Sequence, residues 1–174
     1  LQRRLNDLSG IANDSVESAL AIHVIEHIWR WEVADHLIEW MRVLKPGATI
    51  AIECPNLLTA CASLLENPSS ANGTDRLGQN SMWVFYGDPS WKDPLMTHRW
   101  GYTPESLKAL LAHVGFVHIC QKPAQFKLGD PRDMRIIGKK PVENLALSGS
   151  WEISFWPKPH LGYFYQKRIP SPLK

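Results

Sequence analysis

The sequence has no long hydrophobic run. No apolar stretch reaches the roughly 20 residues that cross a bilayer, and the N-terminus carries no signal-peptide pattern. Cysteine is scarce: Cys54, Cys61 and Cys120 are the only three, at unrelated spacings. An odd number so spaced argues against a disulfide framework and fits a reducing, cytoplasmic compartment. One-sided charge is lacking too. The formal net charge is +2, so nothing calls for nucleic acid or a membrane surface as partner. Glycine is thin early in the chain: only Gly10 precedes Gly47, so no strand followed by a glycine-rich turn stands there.

What is present suffices for one domain. A chain of 174 residues can bury a real core but is short for two ordinary domains. Tryptophan is abundant, eight residues, gathered in Trp29-Arg30-Trp31 and around Trp83, Trp91 and Trp100. Such side chains are expected in the core and in cleft walls. The first residue is Leu rather than Met, which reads as a chain freed from a tag or begun inside a longer one.

Ser18 to Asn56 organises the rest. Ala19-Leu20-Ala21-Ile22 is a short apolar run bounded by polar residues, as a buried parallel strand would be. A His-rich turn follows, His23-Val24-Ile25-Glu26-His27. Val33, Leu37, Trp40, Met41 and Leu44 then share one helical face. Lys45-Pro46-Gly47 stops that helix, since Pro cannot continue it and Gly supplies a left-handed turn. Ala48 to Glu53 is a second apolar run, closed by Cys54-Pro55-Asn56. Strand, helix and strand predict one right-handed parallel crossover.

Downstream, Leu57, Cys61, Leu64 and Leu65 predict the buried face of a helix capped by Asn56. Pro68 to Asn80 reads as an exposed loop. Ser81 to Arg99 is aromatic and proline-rich with no clean period, either a cover over a ligand cleft or a packed surface excursion. Thr103-Pro104-Glu105 is a strong helix start. Leu107, Leu110, Leu111 and Val114 form that helix's apolar face, and Gly115 ends it. Phe116 to Cys120 and Met134 to Gly138 read as strands. Trp151, Ile153 and Phe155 alternate as in a strand, and the prolines that follow predict an extended arm.

His23-Val24-Ile25-Glu26-His27 matches the H-x-x-E-H pattern of a zinc-peptidase group. That chemistry needs the two His on successive turns of one helix, with the Glu activating water. Here the motif ends an apparent strand, so no metal is expected from it, and zinc peptidase stands last among the readings.

The order and spacing of His23 to His27, Arg42-Val43-Leu44-Lys45-Pro46-Gly47 and Pro55-Asn56 resemble the middle of a class I S-adenosylmethionine (SAM)-dependent methyltransferase, of the type 11-like kind. His98-Arg99-Trp100-Gly101-Tyr102-Thr103-Pro104-Glu105 and Gly115-Phe116 extend the resemblance over roughly residues 5 to 140. It implies an α/β fold, a partial Rossmann-like sheet built from the equivalents of strands 4-5-7-6 with flanking helices. Residues 1–140 would be a truncated methyltransferase-like domain and 141–174 an extension or arm. The resemblance implies SAM as cofactor and a small-molecule methyl acceptor as partner. Asp7 and Leu8 would lie beside the adenine, and Ala21, Ile22 and His23 beside the amino-acid part of the cofactor. His98, Arg99 and Tyr102 could face substrate, or simply fix the start of the next helix. His23 or His98 could act as general base.

The family's Gly-x-Gly-x-Gly loop and its ribose-binding acid have no counterpart here. Without the strands that carry them, the strand at 19–22 becomes a sheet edge, with unpaired backbone groups beside exposed aliphatics. The chain is therefore expected to be a fragment, inactive alone, or to pair with a second copy along this edge in a homodimer. The C-terminal arm could also cover it. A non-catalytic association module with a methyltransferase-like fold is the alternative.

Overall fold

The computed structural model describes residues 7–72, 76–126, 128 and 131–142. The alternating strand at Trp151 and the proline-rich arm lie outside the described residues.

Four strands form one sheet in the order β1-β2-β4-β3, with β1 Val16–Ile22, β2 Leu44–Pro55, β3 Val117–Lys122 and β4 Asp133–Lys139. β1 and β2 run parallel, and β4 is antiparallel to both β2 and β3. This is the expected α/β sheet, the 4-5-7-6 arrangement. Helix α1, Val33–Val43, connects the parallel pair. Its buried face is Val33, His36, Leu37, Trp40 and Val43. The helix ends one residue before the Lys45-Pro46-Gly47 turn, because Leu44 is already extended. Gly47 takes φ +78°, the left-handed region that favours glycine. The turn becomes a bulge inside β2: Val16 pairs with Leu44, and two residues later Ser18 pairs with Thr49.

The core lies on this crossover. Leu37, Leu44, Ile50, Ile52, Leu107, Leu111, Met134 and Ile136 are fully buried. Helix α5, Pro104–Val114, packs there with Leu107, Leu110, Leu111 and Val114. Its start is fixed as the sequence predicts. The Thr103 hydroxyl accepts from the Ser106 backbone amide, and the Ser106 hydroxyl accepts from that of Thr103. Gly115 closes the helix at φ +106°.

Three expectations are corrected. Helix α2, Leu57–Glu66, is capped by Asn56 as predicted, but it buries Ala60 and exposes Cys61 and Leu65. It packs against the 3-10 turn at 68–72 and helix α4, Met82–Tyr86, rather than on the main core, and only Ala60 is fully enclosed. The stretch from Pro68 is not a plain loop: Pro68–Asn72 is a 3-10 turn and Arg76–Gln79 a one-turn helix, α3. Among the described tryptophans, few join the core, while Trp83 and Trp91 take the expected place in a cleft wall. Trp40 is buried, but Trp29, Trp31, Trp91 and Trp100 are exposed.

β1 pairs only with β2 among the described strands, and its Leu20 is 55% exposed. No helix among the described residues is long and apolar enough to cross a membrane.

Candidate functional site at the carboxyl end of the sheet

β1 and β2 end side by side, and antiparallel β4 begins at the same end, where Pro55 pairs with Asp133. In open α/β sheets ligands bind in the crevice beyond this end. Here it carries a dense set of buried ionisable groups.

His23 is the first residue after β1. It adopts φ +50°, in the left-handed region. This turns the chain away from the strand direction and leaves the ring 6% exposed. Its Nε2 is 2.9 Å from Asp133 Oδ2, and its Nδ1 stands 3.1 Å from Glu26 Oε1. Burial alone would depress the His23 pKa, but the Asp133 and Glu26 carboxylates outweigh it and raise the pKa above the ordinary imidazole value. Burial in turn pushes Asp133 upward, yet His23 and Arg132 together hold it below the usual carboxylate range. Arg132 donates to Asp133 and, through Nε, to the Gln79 carbonyl at 3.1 Å. Leu128 N–H also donates to Asp133. At the end of β2 the fully buried Glu53 accepts from the amides of Gln125 and Phe126, at 2.9 and 2.7 Å, and from Arg135.

Glu26 differs from these carboxylates. It is 2% exposed, and neither carboxylate oxygen accepts a hydrogen bond among the described residues. Its one charged neighbour among these groups is His23, whose Nδ1 forms an ion pair with Glu26 Oε1 at 3.1 Å. Beside Glu26 stand His27 and His98, with ring centroids 4.9 Å apart and edge to face. His98 Nδ1 is 2.9 Å from the Val84 carbonyl, and His27 Nδ1 is 3.2 Å from that of Thr97. A carbonyl only accepts, so each Nδ1 carries a proton, and in the neutral ring Nε2 keeps a lone pair. Burial lowers the His98 pKa, which keeps this ring neutral at pH 7. The Glu26 carbonyl accepts from the amides of Arg99 and Trp100, at 2.7 and 3.2 Å, and so ties the two segments together.

A cavity of about 330 Å³ opens beside these groups. His23, His27, Trp83, Trp91, His98 and Arg132 are among the residues lining it. The segment 81–99 thus acts as a cleft cover. It is made of helix α4, Met82–Tyr86, and two 3-10 turns whose starts are capped by Asp88 and Asp93.

The residues singled out from the sequence separate into groups. His23 and His98 meet in the cavity. Ala21 is buried, and Ile22 pairs with Glu53 at the end of β1. Asp7 is exposed and accepts from Ser9 N–H in a local turn. Leu8 lies along α1, donating to Glu39 and accepting from Arg42. Neither Asp7 nor Leu8 lines the cavity. The five residues assigned to SAM therefore do not assemble a complete pocket for it among the described residues. Arg99 stacks its guanidinium 5.1 Å from the Trp29 ring. Tyr102 is 2% exposed within the core, and its hydroxyl finds no partner among the described residues. Burial pushes its pKa far up. It does not line the cavity.

Sequence reasoning missed Glu53, Arg132 and Asp133. A faint signal existed for Glu53, an acid inside an apolar strand. The peptidase arrangement of the H-x-x-E-H motif is overturned. Residues 25–27 form a single 3-10 turn preceded by His23 at positive φ, and both His23 nitrogens face carboxylates. The two His do not stand on successive turns of one α-helix.

Solved structures share this fold. A SAM-dependent methyltransferase from Archaeoglobus fulgidus superposes with a TM-score of 0.54 at 19% identity, over 80% of this chain and 66% of that one. A SAM-dependent methyltransferase from Thermotoga maritima, described as a possible histamine N-methyltransferase, gives 0.52 at 16%, over 80% and 63%. A possible exported protein from Bordetella parapertussis gives 0.52 at 15%, over 80% and 43%. The chain thus spans less than two thirds of these proteins. No family model matches it, and no curated protein matches it. The fold is that of a class I SAM-dependent methyltransferase, with a four-stranded sheet and flanking helices.

Proposed function

We propose that this chain supplies the acceptor-side part of a SAM-dependent methyltransferase acting on a small molecule, and that alone it lacks a complete cofactor site. The carrying observation is the cavity at the carboxyl end of β1, walled by Trp83 and Trp91 and bordered by His23 and His98. Its size and aromatic walls suit a small organic acceptor. Methyl transfer asks the protein mainly to align nucleophile, methyl and sulfur. His98, neutral with a free Nε2, is placed to take a proton from a hydroxyl or amine acceptor. Asp7, Leu8, Ala21, Ile22 and His23 remain the cofactor-side candidates, with the rest of that site coming from sequence upstream of Leu1. The type 11-like assignment rests on the motif residues alone.

Calorimetric titration with S-adenosylhomocysteine tests this. The chain alone should give no saturable heat at millimolar ligand, and a version extended by its upstream coding sequence should bind. Saturable binding by the chain alone would overturn the incomplete-site part. Silence from both would favour the second reading, a non-catalytic association module. The open β1 edge with its exposed Leu20 supports that reading. In it two copies pair along β1, and light scattering of the chain would report a dimer rather than a monomer.

A further inference from the structure

We propose that Glu26, His27 and His98 form a binding site for one divalent transition-metal ion, with its open coordination positions facing the cavity. The site does not need the methyl-transfer reading, and with an ion bound the His98 Nε2 lone pair is a metal ligand rather than a proton acceptor. The ligand atoms of the three residues lie within 4.8 Å of one another. Zinc–nitrogen bonds are about 2.0–2.1 Å, so ligand atoms around one tetrahedral ion stand roughly 3.4 Å apart. Small side-chain adjustments close the difference.

Four features point to a cation rather than to a chance cluster. The Glu26 carboxylate is 3% exposed in its side chain, and apart from the His23 ion pair at Oε1 neither of its oxygens has a hydrogen-bond partner among the described residues. A buried carboxylate without donors is costly, and its neighbours Glu53 and Asp133 show how this fold otherwise satisfies one. The two His rings present Nε2 lone pairs while Nδ1 of each is held by a backbone carbonyl. Outer partners of this kind orient metal-binding histidines and raise their basicity. The backbone bonds from Arg99 and Trp100 to the Glu26 carbonyl fix the two segments before any ion arrives. Finally, the cavity next to the cluster leaves room for water or an oxygen donor to complete the coordination.

Two imidazoles and one carboxylate form the donor set of catalytic zinc and of non-haem iron sites. It excludes a preference for calcium or magnesium, which take oxygen ligands. The site is also distinct from the peptidase use of the same motif. Glu26 is a ligand here rather than a base, and His98 replaces His23. His23 is a positioning residue, which holds Glu26 from behind through its 3.1 Å approach.

The test is equilibrium dialysis of chelator-stripped chain against Co²⁺, with elemental analysis and the visible spectrum of the bound ion. Wild type should take up one ion per chain at micromolar metal. Its d–d bands should show nitrogen and oxygen ligation without thiolate charge transfer. Glu26→Gln, His27→Asn and His98→Asn should each abolish uptake, and His23→Asn should weaken it about 10–100-fold. Cys61→Ser, which removes an exposed thiol, should bind like wild type. Circular dichroism checks that each variant folds. If Glu26→Gln does not, the two half-exposed histidines carry the test. No stoichiometric uptake by wild type, or uptake unchanged in His27→Asn and His98→Asn, would overturn the proposal.

Discussion

Two regions meet at the cavity and are built by opposite means. The β1–α1–β2 crossover is regular. Its apolar residues repeat at strand and helix periods, and Leu37, Leu44, Ile50 and Ile52 are fully buried. The segment 81–100 has little regular structure, and its aromatics Tyr86, Trp91 and Trp100 are exposed. It is held by local caps and backbone bonds, such as Asp88 and Asp93 to amides two residues on, and Glu26 to Arg99. The scaffold draws its stability from burial, while the cover contributes little burial and supplies the cavity wall. Side chains that shape a site can therefore change on the cover at small cost in stability, as function-bearing loops do on rigid frames.

Substitutions on the two sides should break this symmetry of importance. The largest effect is expected at their junction. Asp133→Ala would strand Arg132 and His23 in the interior, and losing one partner of a buried ion pair costs about 3–5 kcal/mol. Urea unfolding should show this as a lower midpoint with unchanged slope. In the scaffold, Leu37→Ala should cost about 2–5 kcal/mol by the same assay, since the site is fully buried. A loss below about 1 kcal/mol would mean that the crossover is not the core.

The pH profile sharpens the comparison, because the titrating pair belongs to the scaffold's end. The His23 pKa is raised in the fold, since Asp133 and Glu26 outweigh burial. Its contribution is fully present below the unfolded imidazole value near 6.5. It is lost as pH rises through the higher folded value. The Asp133 pKa is lowered, since His23 and Arg132 outweigh burial. Its contribution is present above the unfolded value near 3.9 and is lost as pH falls through the lower folded value. Melting temperature, measured with chelator present, should thus be highest in between. In Asp133→Asn the acid limb should shrink, the remainder coming from carboxylates such as Glu39, and the alkaline limb should flatten.

Smaller effects follow. Thr103→Ala removes the capping box at the join between cover and α5 and should cost about 0.5–2 kcal/mol. Trp91→Ala, on the exposed cover, should change stability by no more than about 0.5 kcal/mol. It should still enlarge the cavity mouth, read as altered binding of small aromatic probes. A large stability loss at Trp91 would erase the distinction between the two regions.

The difference between these regions also decided what could be read in advance. Local periodicity determined β1, α1, β2 and α5, because in each a single apolar face must be buried and the cap residues stand at its ends. Thr103, Asn56 and Gly115 act as their residue types dictate. Motif order pointed to the sheet of a class I methyltransferase, and the missing glycine-rich turn pointed to an open β1 edge. Periodicity misplaced the α2 face, because this helix packs on the irregular 68–86 segments rather than on the main core, and only Ala60 is fully enclosed. The sequence also gave His23 and His98 as separate candidates, with nothing to join them.

Only the tertiary structure decided the site. Glu26, His27 and His98 meet because the Arg99 and Trp100 amides bond the Glu26 carbonyl. His23 faces Asp133 because β4 returns antiparallel beside β2. Contacts between residues so far apart in the chain leave no periodic trace. What a local segment must bury is written in its own residues, and what a buried carboxylate must face is set by segments it cannot specify.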